Sequence, residues 1–234
     1  MGKLAKQAGF GKPSSISLVF YGRGRHNSDM SEKSPYSAVY EAVLAAALPM
    51  IAENGWQNAT LEAACAAAEI DDNIRILAFP HGVESLIIAF FEAQDTALLA
   101  ALGAGDTPPK IRERIMHGVK MRLQVDSPYR AVLSAALGWL VQPQHHILAS
   151  RLLFKTAHII WRWAGDTATD YNYYSKRLIL SGVLAATTTY WLRDDSEDYT
   201  DTDEFLRRRI NNVMAFEKLK ASVKSKFKPT ETAA

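Results

Sequence analysis

The spacing of apolar residues most constrains this fold, because it follows the helical repeat through nearly the whole chain. Between Tyr36 and Gly55, apolar residues such as Val43, Leu44 and Ala47 recur three or four positions apart. An amphipathic helix buries such a stripe, whereas a half-buried strand needs strict alternation, and no stretch of the sequence shows alternation of comparable length. The sequence therefore predicts an all-α fold of about nine helices.

Turn and capping residues divide the pattern into segments. Thr60 is expected to cap a short second helix, and Asp71 and Asp72 to open a third that ends before Pro80. We predict four parts: a disordered basic extension at 1–34, a three-helix part at 35–82, a larger helical part at 83–216 and a basic amphipathic tail at 217–234. Within the larger part, long helices are predicted at 83–102, 107 onward, 127–141, 144–164, 170–193 and from about 202.

Composition allows a globular protein with a substantial core, since 48% of the 234 residues are hydrophobic. The single cysteine, Cys65, excludes an intramolecular disulfide and favours a reducing compartment. Both ends of the chain are basic, whereas the body at 30–216 carries a net negative charge. An acidic body disfavours binding to a phosphate backbone, and basic ends suit an anionic membrane surface.

The terminal segments carry separate expectations. Residues 1–34 are interpreted either as a transit peptide or as a non-native extension ahead of Met30. Residues 214–228 interleave apolar side chains with lysines, which predicts weak, salt-sensitive membrane attachment; a solvated helix end is the alternative. Neither a secretory signal nor a membrane-spanning helix is expected from the sequence.

The first three helices have the outline of a helix-turn-helix. The marks are the Glu53–Trp56 stretch that ends the first helix, Thr60-Leu61 at the second, the small residues Ala64 and Ala67, and the Phe79–Gly82 turn. Residues 36–91 resemble the N-terminal part of TetR-family regulators, which implies a TetR-like architecture.

The charge of this part argues against DNA binding. Residues 58–84 hold five carboxylates against one arginine, Arg75, and two of the carboxylates, Asp71 and Asp72, lie at the start of the third helix. A recognition helix needs hydrogen-bond donors there and basic residues nearby for phosphates. We expect no nucleic-acid partner; a TetR-type ligand-gated transcriptional repressor is the alternative.

A second motif spans the junction of the helices predicted at 144–164 and 170–193. The sequence reads WAGD at 163–166, TDYNYY at 169–174 and KR at 176–177, with DDS at 194–196 and RINN at 209–212 further on. These stretches resemble the coenzyme Q biosynthesis accessory family, the ninth Coq protein. The resemblance implies a non-catalytic, TetR-like protein that binds isoprenoid quinone intermediates or phospholipid. It also implies support of a di-iron demethoxyubiquinone hydroxylase, the seventh Coq protein.

Aromatic and charged residues at the start of a helix can form a docking patch, because such anchors dominate protein interfaces. A helix corner held by tyrosine hydroxyl groups is the alternative on the residues alone. The resemblance implies that the hydroxylase is contacted by Asp170, Tyr173, Tyr174 and Arg177.

A lipid tail needs a tunnel of apolar side chains that the core does not fill. Gly182, Ala185 and Ala186 thin the penultimate long helix, which would leave room, and Thr187 adds a hydroxyl. Each candidate wall residue has ordinary core packing as its alternative. The candidates are Phe90, Phe91, Met116, Val119, Leu123, Leu137, Leu153, Ile160, Leu180, Val183, Leu184 and Thr187.

Other chemical sites are set aside. The DDSED stretch at 194–198 matches one aspartate-rich motif of isoprenoid diphosphate synthases, which need two, so we interpret it as a solvated loop. The histidines lack partners at metal-ligand spacing, and no glycine-rich phosphate loop is present in the sequence. We expect no cofactor, no metal and no catalysis.

The combined prediction is a homodimeric accessory protein of ubiquinone biosynthesis, attached weakly to a membrane. Its expected location is the cytoplasmic face of the inner membrane in a bacterium, or the matrix face of the inner membrane in a mitochondrion.

Overall fold

A computed structural model describes residues 35–169 and 171–212, and these are helical without any β-strand. Eight α-helices are bounded within these ranges, and residues 200–212 form a further helical segment, here called the 200–212 helix. The all-α prediction is confirmed. The helices are α1 Ser37–Asn54, α2 Asn58–Ala67, α3 Asp72–Ala78, α4 Val83–Ala104, α5 Ile111–Asp126, α6 Arg130–Leu140, α7 His146–Trp163 and α8 Tyr171–Trp191.

The predictions for 1–34, for Asp170 and for the tail at 217–234 lie outside the described residues. The boundaries proposed between the parts of the chain remain predictions. Among the predicted helix starts, those at Thr60 and at residue 107 are wrong. α5 begins at Ile111, with Lys110 before its first turn. α2 begins at Asn58, and Thr60 lies in its first turn, where its hydroxyl donates to the Gly55 carbonyl at 3.0 Å.

The first apolar core joins α1, α2, α6 and the N-terminal half of α4, with single residues from α5, α7 and α8. Val43 and Ala47 of α1, Ala64 of α2 and Leu86 of α4 are each fully buried there. Trp56, between α1 and α2, reaches into the larger part of the protein, where its indole nitrogen donates to the Val132 carbonyl of α6 at 3.1 Å. The helix-turn-helix part is therefore fastened to the body by a buried hydrogen bond as well as by apolar packing.

The second apolar core lies between α4, α5, α7, α8 and the 200–212 helix. Leu98 of α4, Val119 of α5, Ile160 of α7 and Leu206 are completely buried in it. Because α4 contributes its first half to one core and its second half to the other, this helix connects the two packing units.

α4 is also the one helix in the described ranges that is long and apolar enough to cross a membrane. The test rests on length and composition alone. In the most apolar 18-residue stretch of α4, 56% of the residues are buried inside the protein, and core helices of soluble proteins meet the same test.

Candidate functional site

An apolar cavity of about 220 Å³ opens between α6, α7 and α8, with α4 and α5 at its base. Phe91 of α4, Leu137 of α6, Leu153 of α7 and Leu184 of α8 line it, and all four were predicted as wall residues. Val141 stands at the edge with 80% of its surface exposed. Further aliphatic lining that the sequence analysis missed comes from Leu133, Leu140, Ala149, Leu152 and Ala185.

The remaining eight predicted wall residues do not line this cavity. Phe90 and Leu123 belong to the first core, Met116 packs on the second, and Thr187 is fully buried. The others lie within the second core: Val119, Ile160, Leu180 and Val183. The predicted wall residues therefore divide between this cavity and the packed interior of the described residues.

α5 packs closely against α7 within the second core. At Gly118 of α5 the backbone is so near α7 that a Cβ atom there would lie 2.6 Å from Cγ2 of Ile160. Ile160 itself has no exposed surface. α5 and α7 are therefore in contact at Ile160, a residue that the sequence analysis had placed on the wall of the lipid site.

Three polar residues of a buried charged cluster line the cavity. Arg122 donates through Nη1 to Asp95 Oδ1 at 2.6 Å and through Nε to Asp126 Oδ2 at 2.8 Å. Thr156 donates to Asp95 at 2.7 Å, so the cluster joins α4, α5 and α7. Arg122, Asp126 and Thr156 all contribute to the cavity wall.

Burial raises the pKa of Asp126 against the opposing effect of Arg122. One Asp126 oxygen, Oδ1, has no hydrogen-bond partner within 35–169 and 171–212. The sequence analysis missed this cluster, although Arg122 and Asp126 stand four positions apart on one helix face. That spacing is also typical of surface ion pairs, so it gives little sign of burial.

The thin middle of α8 borders a different space from the one predicted. Gly182, Ala185 and Ala186 face an open groove of about 930 Å³ that reaches the 200–212 helix. At its far end the rings of Tyr190 and Phe205 stack with centroids 4.5 Å apart. Only Ala185 also lines the apolar cavity, so most of the room made by small residues lies on the outer side of α8.

The predicted partner residues at the start of α8 separate into exposed and buried members. Tyr174 is 63% exposed, and its neighbour on the same face, Leu178, is 69% exposed. Tyr173 is half-buried, and its ring meets that of Tyr174 edge-on with centroids 5.0 Å apart. We use the name α8 surface for the exposed apolar residues at the start of this helix, which are Tyr171, Tyr174 and Leu178.

The prediction that Arg177 contacts a partner is wrong, because this side chain is completely buried. It points into the protein and pairs with Asp166 at 2.8 Å. The helical repeat explains the difference: Arg177 follows Tyr173 by four positions and shares its inward face, whereas Leu178 follows Tyr174.

The helix in the position of a DNA-reading helix, α3, presents acid and apolar groups. Asp71 caps it by accepting from the Asn73 amide at 2.8 Å, and Asp72 pairs with Arg75 at 2.9 Å. Ile76 and Leu77 are 57% and 60% exposed. This surface lacks the basic character that contact with phosphates requires.

The aspartate-rich stretch after α8 is not a solvated loop throughout. Asp194 is buried and accepts four hydrogen bonds, from the amide and hydroxyl groups of Ser196 and Thr202. Burial alone would raise the pKa of Asp194, but these bonds hold it well below its ordinary value. Asp194 is therefore a structural anchor for the start of the 200–212 helix. Across the described ranges, no group of three or more histidine, cysteine or acidic residues could hold a metal ion.

An all-α body, a helix-turn-helix outline and an apolar cavity in the larger helical part define a protein of TetR-like architecture. A TetR transcriptional regulator from Nitrosomonas europaea has a similar fold, with a TM-score of 0.58 and 21% identity over 74% of this chain and 97% of that one. At this identity, the similarity shows the fold alone.

Residues 147–217 match the family model COQ9. The chain is 30% identical to the ubiquinone biosynthesis protein COQ9 of Xenopus tropicalis over 185 residues, which is 74% of this chain and 57% of that protein. It is 30% identical to the Rattus norvegicus protein over 80% of this chain and 62% of the relative, and 27% identical to the Homo sapiens protein over 78% and 60%. The chain belongs to the COQ9 family, of which these three relatives are named mitochondrial. It spans about 57–62% of their length.

Proposed function

We propose that this chain is a non-catalytic accessory protein of ubiquinone biosynthesis that binds polyprenyl quinone intermediates and presents them to the demethoxyubiquinone hydroxylase. The observation that carries the proposal is the apolar cavity between α6, α7 and α8 in a member of the COQ9 family. An isoprenoid chain is bound by apolar contacts and needs no reactive group. The lining of Leu137, Leu153, Leu184 and Phe91 supplies such contacts.

The α8 surface is the proposed contact with the hydroxylase. Tyr174 and Leu178 are exposed on one face of α8, and large aromatic and aliphatic side chains of this kind serve as anchors at the centres of interfaces. Asp170 is proposed to belong to the same contact. We further propose that the protein acts as a homodimer at the inner membrane, attached through its basic tail.

Lipid binding is tested by native mass spectrometry of the purified protein, followed by lipid extraction. We expect an isoprenoid or phospholipid to be recovered from the wild type. The variant Leu137→Trp should lose it, because the larger ring would fill the cavity. Leu178→Trp is the matched control, since Leu178 is exposed and does not line the cavity. A wild type without lipid, or a Leu137→Trp variant that keeps it, would contradict the proposal.

Partner binding is tested by co-purification with the hydroxylase. Tyr174→Asp should keep the fold by circular dichroism and lose the partner, because a charge would be placed in an apolar contact. Ile76→Asp on α3 is the control, since Ile76 is also exposed but lies in the helix-turn-helix part. Equal recovery of the hydroxylase with both variants would remove the α8 surface from consideration.

A ligand-gated repressor is less well supported. The acidic cap formed by Asp71, with Asp72 beside it, would repel the phosphate backbone at the end of α3 where a recognition helix contacts DNA. A gel-shift assay with genomic fragments at low salt separates the two functions. Specific, competitor-resistant binding would favour the repressor.

A further inference from the structure

A fully buried arginine lies beneath the exposed tyrosines of α8. Arg177 donates through Nη1 to Asp166 Oδ2 at 2.8 Å and to the Tyr173 carbonyl at 3.0 Å. Asp166, in the turn after α7, also accepts from Lys176 Nζ at 2.6 Å. Burial would raise the pKa of Asp166, but its hydrogen bonds to the two cations hold the pKa below its ordinary value. Asp166 therefore stays ionised and fixes the guanidinium in place.

The guanidinium in turn fixes an aromatic ring. Its central carbon lies 3.7 Å from the centre of the Tyr173 ring, which is close enough for a favourable cation–π contact. The Tyr173 ring packs edge-on against Tyr174, with centroids 5.0 Å apart. An unbroken series of contacts thus runs from Asp166 through Arg177 and Tyr173 to the exposed Tyr174.

His158 of α7 completes the set of groups around Arg177. The Arg177 Nε lies 3.1 Å from His158 Nδ1, and the Tyr173 hydroxyl lies 3.2 Å from the same nitrogen. Because arginine keeps its protons at all accessible pH values, Nδ1 must be the acceptor and His158 must be neutral. Burial lowers the pKa of His158; Arg177 and Arg162 lower it further, and Asp166 opposes them.

We propose that Arg177 is a positioning residue of the α8 surface: held between Asp166 and His158, it orients Tyr173 so that Tyr174 meets the partner in one fixed conformation. The inference rests on the proposed function, because it takes the α8 surface as the contact with the hydroxylase. A side chain ordered before binding loses less entropy when the complex forms, which corresponds to about threefold to tenfold in affinity for each such side chain.

The first arm of the test measures the affinity of the full chain for the purified demethoxyubiquinone hydroxylase of the same organism, by calorimetry at neutral pH. Arg177→Lys keeps the positive charge but removes the planar guanidinium group, which contacts Asp166, His158 and the Tyr173 ring at the same time. We expect Arg177→Lys to bind the hydroxylase about tenfold more weakly than the wild type does. A loss of this size is usual when a side chain that contributes to an interface is changed. Lys155→Arg on α7 is the control with a comparable exchange, and it should bind as the wild type does.

The second arm is a pH profile, which a merely structural role of Arg177 would not produce. Protonated His158 cannot accept from Arg177. Because the pKa of His158 is lowered from its ordinary value of 6.5, the wild-type affinity should be kept at pH 6.5 and should fall only at a lower pH. His158→Asn places a carbonyl oxygen near the position of Nδ1 and accepts at every pH. We expect this variant to keep its affinity over the same range, and it also decides the matter if Arg177→Lys fails to fold.

The outcomes separate the two proposals. If Tyr174→Asp leaves hydroxylase binding unchanged, the α8 surface is wrong and the role of Arg177 falls with it. If Tyr174→Asp abolishes binding but His158→Asn retains the wild-type pH dependence, the positioning role alone is refuted. A folded Arg177→Lys variant with full affinity would refute it as well.

Discussion

Gly118→Ala is the most direct test of how tightly α5 and α7 pack. The added Cβ would lie 2.6 Å from Cγ2, 3.3 Å from Cγ1 and 3.4 Å from Cβ of Ile160. Ile160 has no exposed surface and belongs to the second core, so it has no free space into which to move. The contact is with a branched side chain near its own backbone, which cannot swing aside as the end of a long chain would.

The size of the effect follows from two opposing terms. In a helix interior, replacing glycine by alanine stabilises a protein by about 0.5–1 kcal/mol when the new methyl group meets nothing. Forcing one extra methyl group into a closely packed core costs about 1–3 kcal/mol. For Gly118→Ala the second term should dominate, with a net loss of about 1–2 kcal/mol in the free energy of unfolding.

Gly138→Ala on α6 provides the matched control, because a Cβ there meets no atom within 4 Å and the site is exposed. Urea unfolding of both variants should show a lower midpoint for Gly118→Ala and an unchanged or higher one for Gly138→Ala, with equal slopes. If the two substitutions change the midpoint alike, α5 and α7 do not approach as closely as described. The description of Ile160 as closely packed between α5 and α7 would then fail.

Two further predictions concern buried charges. Arg122→Met leaves Asp95 and Asp126 buried without their cation, so the free energy of unfolding, measured in urea, should fall by about 3–5 kcal/mol. Lys110→Met, at an exposed ion pair, is the control and should cost less than about 1 kcal/mol. Because the folded-state pKa of Asp194 is depressed, its stabilising contribution is fully present above the unfolded value of 3.8 and is lost as the pH falls below it. Asp194→Asn should therefore lower stability at neutral pH and flatten its decline in acid, and an Asp194→Asn variant with the wild-type acid profile would contradict this.

The helices themselves could be predicted from the sequence because their signals are local. The apolar repeat, glycine at positions such as Gly55 and the capping pair at Asp71 and Asp72 depend only on neighbours in the chain. The failures at this level concerned helix ends, as at Thr60, where a residue suited to capping lies within the first turn of α2 and bonds backward instead. Local chemistry decides whether a helix forms, whereas its end residues are less well determined by the sequence, as the starts of α2 and α5 show.

The cavity could be predicted only in part, because core and pocket use the same residue types. Phe90 and Phe91 are adjacent and both belong to the first core, yet only Phe91 also lines the cavity. What separates them is the neighbour that each ring faces: Phe90 contacts the ring of Trp56, with centroids 5.6 Å apart, whereas the Arg122 guanidinium lies 5.8 Å from the centre of the Phe91 ring. No pattern within a single helix carries that information.

The volume of the cavity restricts how a polyprenyl chain could be held. An empty apolar cavity of about 150 Å³ is enough for one benzene molecule, so the 220 Å³ found here suits about one or two isoprene units. A long chain bound in this conformation would have to leave the cavity past the exposed edge at Val141, with most of its length outside the protein. Such an arrangement is favourable only where another apolar phase covers the rest of the chain, because exposure of hydrocarbon to water costs about 25 cal/mol per Å². The small cavity therefore makes a membrane, rather than bulk water, the expected setting for the proposed lipid binding.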